Sequence, residues 1–194
     1  MAEDRYSSFK VLYASEKEGT DYRKEVVRRN SKCLIMAPHG GKIERGTSEV
    51  ASRVAGDDHS LFLFEGLRKR PHRDLHVTSH KYDDEEAIEL AREHALVVAF
   101  HGRKDRKDPV TVHVGGLDVE IRDAIITELK LSDFEAAVGT GEFAGQHESN
   151  ICNRSNGSRG VQLEIPKSLR DKLRSKPDEV HKFASAVRKA IASK

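Results

Sequence analysis

Two histidines and a glutamate in this 194-residue chain have the types and settings that metal-assisted hydrolysis needs. His39 follows the apolar run Cys33-Leu-Ile-Met-Ala37, and His101 follows Leu96-Val-Val-Ala-Phe100. Each histidine is itself followed by glycine, which lets the backbone turn sharply and leaves room beside the imidazole. Glu44 comes shortly after His39, in a stretch leading towards a helix. Two imidazoles and one carboxylate are a catalytic zinc's ligand set, with a fourth position open for water. Single histidines are more often surface or satisfied core residues. Two of them in equivalent settings bring the readings to about even, and spacing goes no further.

Glu164 could supply the base. In Val161-Gln-Leu-Glu-Ile165 the alternation puts Val161, Leu163 and Ile165 on one face and Gln162 and Glu164 on the other. A carboxylate on an interior strand is costly unless it has a partner or a task. An edge strand with a solvated glutamate fits the pattern slightly better. The functional alternative is a general base acting on zinc-activated water.

The elements that must position these residues alternate between strand and helix. Strands are expected at 9–14, 33–37, 61–65, 75–79, 96–100, 110–114, 134–138 and 161–165. The charged segment 22–29 suggests a helix. Further helices are expected from Thr47 or Ser48 to Val54, from Asp83 or Asp84 onwards, and over 119–131 and 178–193. The Gly-, Ser- and Asn-rich stretch 139–160 reads as a loop. The 33–37 and 96–100 runs lack alternation, as strands buried on both faces do. This pattern predicts an α/β fold, a sheet covered by helices, with ligands gathering beyond the carboxyl ends of its strands. No boundary divides it, so residues 1–194 are expected to form a single domain.

Composition narrows the classes. Hydrophobic residues at 37% and charged residues at 34% describe an ordinary core under a wet surface. With 34 Lys and Arg against 32 Asp and Glu, a net charge of +2 does not suggest a dedicated nucleic-acid binder. Tryptophan is absent and aromatics are 6%, so the stacking platforms of single-strand binders are missing. Cys33 and Cys152 imply neither a disulfide framework nor a cysteine zinc site. No apolar stretch approaches a membrane span, and residues 1–10 lack the core of a signal peptide; a cytoplasmic location is expected. The basic runs Arg68-Lys-Arg70 and Arg103-Lys-Asp-Arg-Lys107 read equally well as solvated loops or as a rim that steers anions. Arg45 and Arg103 are candidates to hold substrate carboxylates, and Arg45 can do so with bidentate geometry. His76 and His80 read as surface positions first and substrate contacts second.

Three ordered blocks are recognisable together. Pro38-His-Gly-Gly41 followed by Ile43-Glu-Arg-Gly-Thr-Ser-Glu49 resembles the signature of the phage-type poly-γ-glutamate hydrolases. Ala99-Phe-His-Gly102 and Gly160-Val-Gln-Leu-Glu164 resemble that family's later blocks. The likeness runs from about Tyr22 to Ile165 and extends distantly to zinc carboxypeptidases and N-formylglutamate amidohydrolases. It implies an open mixed sheet with a zinc-carboxypeptidase-like core, zinc on His39, Glu44 and His101, and Glu164 as general base. It further implies that Asn153 and Arg154 grip a substrate carboxylate, with Arg154 or a nearby arginine stabilising the oxyanion. The substrate would be an anionic polymer cleaved at γ-glutamyl amide bonds. The alternatives are a zinc amidase or deacylase for a small N-acyl amino acid, and a non-enzymatic phage replication-associated protein.

Overall fold

The computed structural model describes residues 4–69 and 73–193. Its helices and strands run α1 (Phe9–Ser15), β1 (Tyr22–Val27), β2 (Cys33–Gly41), α2 (Thr47–Ala55), β3 (Ser60–Gly66), α3 (Glu85–Glu93), β4 (Leu96–Arg103), β5 (Val112–Gly116), α4 (Val119–Leu131), β6 (Ala136–Val138), β7 (Val161–Pro166), α5 (Lys167–Ser175) and α6 (Pro177–Ala192). The strands form one sheet in the order β1-β3-β2-β4-β7-β5-β6. β3, β2, β4 and β7 run parallel, while β1 lies antiparallel to β3 and β5 antiparallel to β7. The fold is the open mixed α/β sheet that the sequence implied.

The unalternating runs are explained by two covered faces. Cys33, Ile35 and Ala37 of β2, with Val98 and Phe100 of β4, pack against α2, α4, α5 and α6. Leu34, Met36, Val97 and Ala99 face the other way, against Phe9 and Leu12 of α1, Leu90 and Ala91 of α3, and Ile151. Each such large side chain, fully buried, contributes about 1.5–3 kcal/mol.

Several local expectations are corrected. Residues 9–14 are helical: Ser8 caps α1 by accepting from Val11 N at 3.4 Å, and Phe9 and Leu12 bury one helical face. Residues 22–27 are a strand, because at the sheet edge charged side chains on β1 can reach water or partners such as Glu65 and Glu86. Residues 75–79 are not a strand but lie between short 3-10 turns at Arg73–Leu75 and Ser79–Lys81. The polar helix α5 was not expected at all; it buries only Leu169, Arg170 and Leu173. β7 is interior, between β4 and β5, which overturns the edge-strand reading of Glu164. Both cysteines are buried and free.

Arg170 ties the carboxyl end of the sheet together. Its guanidinium is buried, at 6% exposure, and donates from Nε to Ile165 O at 3.1 Å and from Nη2 to Arg103 O at 3.2 Å. Nη1 donates to Arg45 O. Those carbonyls belong to the end of β7, the end of β4 and the loop between β2 and α2. Gly102 makes room, since a Cβ there would stand 2.5 Å from Arg170 Cζ. Arg170→Met should therefore destabilise the protein by about 3–5 kcal/mol in denaturant unfolding, as loss of a buried charged partner does. Arg170→Lys should cost less. A methionine variant within 1 kcal/mol of wild type would mean that these carbonyls find other donors.

Candidate metal centre

The residues on the tied segments converge. β2 pairs irregularly with β3 between Ala37 and Gly40, and His39 lies in that break. Gly41 has φ +61° and lies so close to β3 that a Cβ would stand 2.6 Å from Gly66 O, so only glycine fits comfortably. The chain then turns back, with Glu44 N donating to His39 O at 2.9 Å and Thr47 Oγ1 to Glu44 O at 2.9 Å. Glu44 thereby points across to β4, where its Oε2 accepts from Gly102 N at 2.7 Å.

His39, Glu44 and His101 each offer a ligand atom, and all three atoms lie within 4.8 Å of one another. His39 Nδ1 is 3.6 Å from Glu44 Oε2 and 3.2 Å from His101 Nδ1, and His101 Nδ1 is 3.9 Å from that same oxygen. Two ligands of a tetrahedral zinc, each about 2.0–2.1 Å from the ion, stand roughly 3.3 Å apart. His39 Nε2 donates to Val77 O at 2.8 Å, which leaves Nδ1 with its lone pair turned towards the cluster. His101 Nε2 is buried without a partner among the described residues. Spacing, donor set and tautomer all fit a zinc ion.

Around this cluster sits a second layer. The His76 ring lies 4.1 Å from that of His39, its Nε2 is 4.0 Å from Glu44 Oε1, and its Nδ1 is 2.7 Å from Asp4 Oδ1. Register places His101, Glu164 and His113 side by side on β4, β7 and β5. Glu164 is enclosed by protein yet keeps some solvent contact, and its Oε1 accepts from Gln162 Nε2 at 3.4 Å.

The charges are mutually tuned. Burial would raise the Glu44 carboxyl, but the imidazoles of His39, His101 and His76 outweigh it and hold the group down at about 2. Burial and the neighbouring His39 push His101 down to about 3, against the attraction of Glu44. Burial, then the Glu44 carboxylate, pushes Glu164 up to about 8.

Other expected residues lie elsewhere or are committed. Asn153, 2% exposed, receives Leu117 N and donates to Gly145 O and His147 O, so it organises its loop and has no amide group free for a substrate. Arg154 donates to Ser149 O at 3.1 Å and lines, with Arg92 and Asn156, a recess of about 790 Å³. Asn156 bonds to His94 O just before β4, so that recess opens at the opposite end of the sheet from His101. Arg103 is only 7% exposed and donates to the carbonyls of Lys104, Asp108 and Thr111 and to the Asp108 carboxylate. It is a loop staple rather than a free steering cation. Arg45 has an exposed side chain. Arg68 is paired to Glu16 at 2.9 Å, and Arg70 falls outside the described residues. His80 stacks on His147 at 5.0 Å. Arg170 and His113 were missed. Arg170 carried no sequence signal, but His113 alternates with Val112 and Val114 just as Glu164 does with its neighbours.

The chain is similar in sequence and in fold to known proteins. A family model described as poly-gamma-glutamate hydrolase matches residues 6–187. UPF0714 protein YmaC of Bacillus subtilis (strain 168) is 35% identical over 170 residues, covering 87% of this chain and 71% of that protein. A solved bacteriophage poly-gamma-glutamate hydrolase superposes with a TM-score of 0.93 at 33% identity, covering 98% of both chains. A second solved structure, described as YNDL-apo (zinc-free), gives 0.90 at 28% identity, again over 98% of both.

The tuned charges predict how stability of the chelator-treated protein depends on pH. Glu44 and His101 are held below their ordinary 4.5 and 6.5, so the folded chain binds fewer protons than the unfolded one. Stability should fall on acidification below about 6.5. Glu164 is the reverse: the folded chain keeps a proton that the unfolded chain has lost, so stability falls as pH climbs from 4.5 to about 8. These trends oppose each other between 4.5 and 6.5, and the melting temperature should be nearly flat there and drop on both sides. Glu164→Gln should abolish the alkaline drop in calorimetry and keep the acid one. An unchanged alkaline limb would assign it to another group.

Proposed function

The chain belongs to the poly-γ-glutamate hydrolase family, and from that premise we infer that it is a zinc-dependent hydrolase of γ-glutamyl amide bonds in poly-γ-glutamate or a related anionic substrate. The observation that carries this reading is the convergence of His39, Glu44 and His101 within 4.8 Å, with the His39 tautomer fixed by Val77 O. The description of one relative as zinc-free supports zinc as the ion.

A zinc ion held there supplies Lewis acidity, which brings the pKa of water to about 7 and polarises a carbonyl. The chain's residues do the rest. His39, Glu44 and His101 fix the ion at the carboxyl ends of β2 and β4. Glu164, next to His101 in register, takes the proton from the attacking water and returns it to the leaving amine. Gln162, held by Asn150 Nδ2 at 2.7 Å, orients the Glu164 carboxyl. This reading assigns no step to Arg154 and Asn153, which are bonded within their own loop. Lys104, Arg106 and Lys107 are exposed on the loop after β4 and favour approach of a polyanion.

The purified protein should hold about one zinc per chain, and His39→Ala/His101→Ala should lose both metal and hydrolysis of poly-γ-glutamate. Glu164→Gln should keep the metal and lose roughly 10²–10⁴ in kcat. Stoichiometric zinc in the double variant, by elemental analysis, would refute the ligand assignment. Zinc loss in Glu164→Gln would make that residue a ligand instead of a base. Cleavage of a small uncharged amide in preference to the polymer would favour the deacylase alternative.

A further inference from the structure

Two adjacent residues between β3 and α3 bear on the metal centre. Val77 O receives His39 Nε2 at 2.8 Å, and the His76 ring packs on the His39 ring with centroids 4.1 Å apart. Residues 76–78 lie in no strand or helix, so no ladder sets the direction of the Val77 carbonyl. A carbonyl that must meet one ring nitrogen then needs its neighbours anchored in some other way.

The anchor comes from the far end of the sequence. Asp4 Oδ2 accepts from Thr78 N at 2.7 Å and from Thr78 Oγ1 at 2.6 Å, and Asp4 Oδ1 is 2.7 Å from His76 Nδ1. The Asp4 side chain is largely enclosed, at 8% exposure. Burial works against its charge, but hydrogen bonds from His76 and Thr78 outweigh it and hold the carboxyl well below the usual carboxylate range. An ionised carboxylate only accepts, so His76 Nδ1 carries the hydrogen of that pair. Asp4 therefore grips the residues on both sides of Val77, and the peptide between them has little freedom to turn. Neighbouring contacts lay the same N-terminal segment along the loop: Arg5 pairs with Asp74 at 2.9 Å, and Phe9 N donates to Asp83 Oδ1 at 2.5 Å.

A ligating imidazole must turn a lone pair to the ion, and the hydrogen bond made by its other nitrogen decides which nitrogen has one. With Nε2–H given to Val77 O, the lone pair of His39 sits on Nδ1, 3.2 Å from His101 Nδ1 and 3.6 Å from Glu44 Oε2. If the carbonyl swung away, part of the population would carry the hydrogen on Nδ1, where it shuts out a cation.

We propose that Asp4 is a positioning residue of the metal centre: by clamping His76 and Thr78 it aims Val77 O at His39 Nε2 and fixes the ring's tautomer and plane. It touches neither the ion nor the substrate. That the ion is zinc rests on the hydrolase reading; the clamp and its effect on the His39 ring do not.

The test reads the ring first and the metal second. In chelator-treated full-length chain at alkaline pH, long-range ¹H–¹⁵N spectra should show His39 protonated on Nε2 alone. Asp4→Ala should give a mixture of tautomers, and Asp4→Asn, which keeps one acceptor oxygen, a smaller admixture. Zinc affinity, measured by competition with a chromogenic chelator, should fall about 10–100-fold in Asp4→Ala, the usual cost of losing support behind a ligand. Arg5→Ala loosens the same segment without touching residues 76–78, and should keep both the tautomer and the affinity. If Asp4→Ala does not fold, Asp4→Asn carries the same comparison. A wild-type tautomer with zinc affinity within twofold in the Asp4 variants would overturn the proposal, as would an equal loss in Arg5→Ala. A wild-type chain that takes up no zinc loses the hydrolase reading, and the tautomer comparison still decides the clamp. Full zinc uptake with an unmoved tautomer in Asp4→Ala does the reverse.

Discussion

A guanidinium buried at the carboxyl end of a parallel sheet must find acceptors, and strand ends expose carbonyls that need donors. Arg170 satisfies both demands at once through Ile165 O, Arg103 O and Arg45 O. Those three carbonyls sit beside Glu164, beside His101 and beside Glu44. Metal ligands and base come from three chain segments far apart in sequence, and this one side chain fixes their separations from beneath. Its positive charge also attracts Glu44 and Glu164 from the far side of the sheet end. Burial lowers the Arg170 pKa, and those carboxylates oppose the shift. Arginine suits the place better than lysine could, since its planar fork serves three acceptors in fixed directions.

Above that staple, two imidazoles meet nose to nose with a carboxylate beside them both. His101 is pushed towards its neutral form by burial and by His39, so it offers a lone pair rather than a second positive charge. Glu44 is held ionised by the surrounding rings. A neutral His101 and a charged Glu44 are protonation states that a metal ligand set requires, and the packing of the cluster favours both. Glu164 is the cost of that arrangement: packed near a permanent carboxylate, it holds its own proton until a cation lowers the local potential.

The sequence carried the sheet more faithfully than the surface. β2, β4 and β7 could be read because burial on both faces, or strict alternation, is written directly in residue type. His39 and His101 were found because they end those runs, and Glu164 because alternation sets it opposite the apolar face of its strand. Residues 9–14 and 22–27 were misread because the deciding forces lie in tertiary structure. Phe9 and Leu12 form a helical stripe only against Phe64 and Tyr82, and β1 tolerates charge only because it is an edge. Segment 75–79 shows the same limit: its buried Leu75 and Val77 resemble a strand, but the backbone spends a carbonyl on His39 rather than on a ladder. Arg170 was invisible because a single arginine in a polar helix looks like any solvated residue.

The arginines explain why charge runs mislead. Arg103, in a basic run, donates to backbone carbonyls as Arg170 does, and so do Arg154 and Arg188 outside any such run, so a run says little about whether its arginines meet a ligand. A guanidinium is weakly hydrated and carries several donors, and folding recruits it to hold loop and helix ends. The exposed Lys104 and Lys107, more strongly hydrated, stay in water. A polyanion approaching this face would thus meet two kinds of positive charge. The lysines are mobile and easily screened by salt. The Arg103 charge is buried and spent on the carbonyls of its own loop, so it adds to the field behind the lysines without gripping a carboxylate itself.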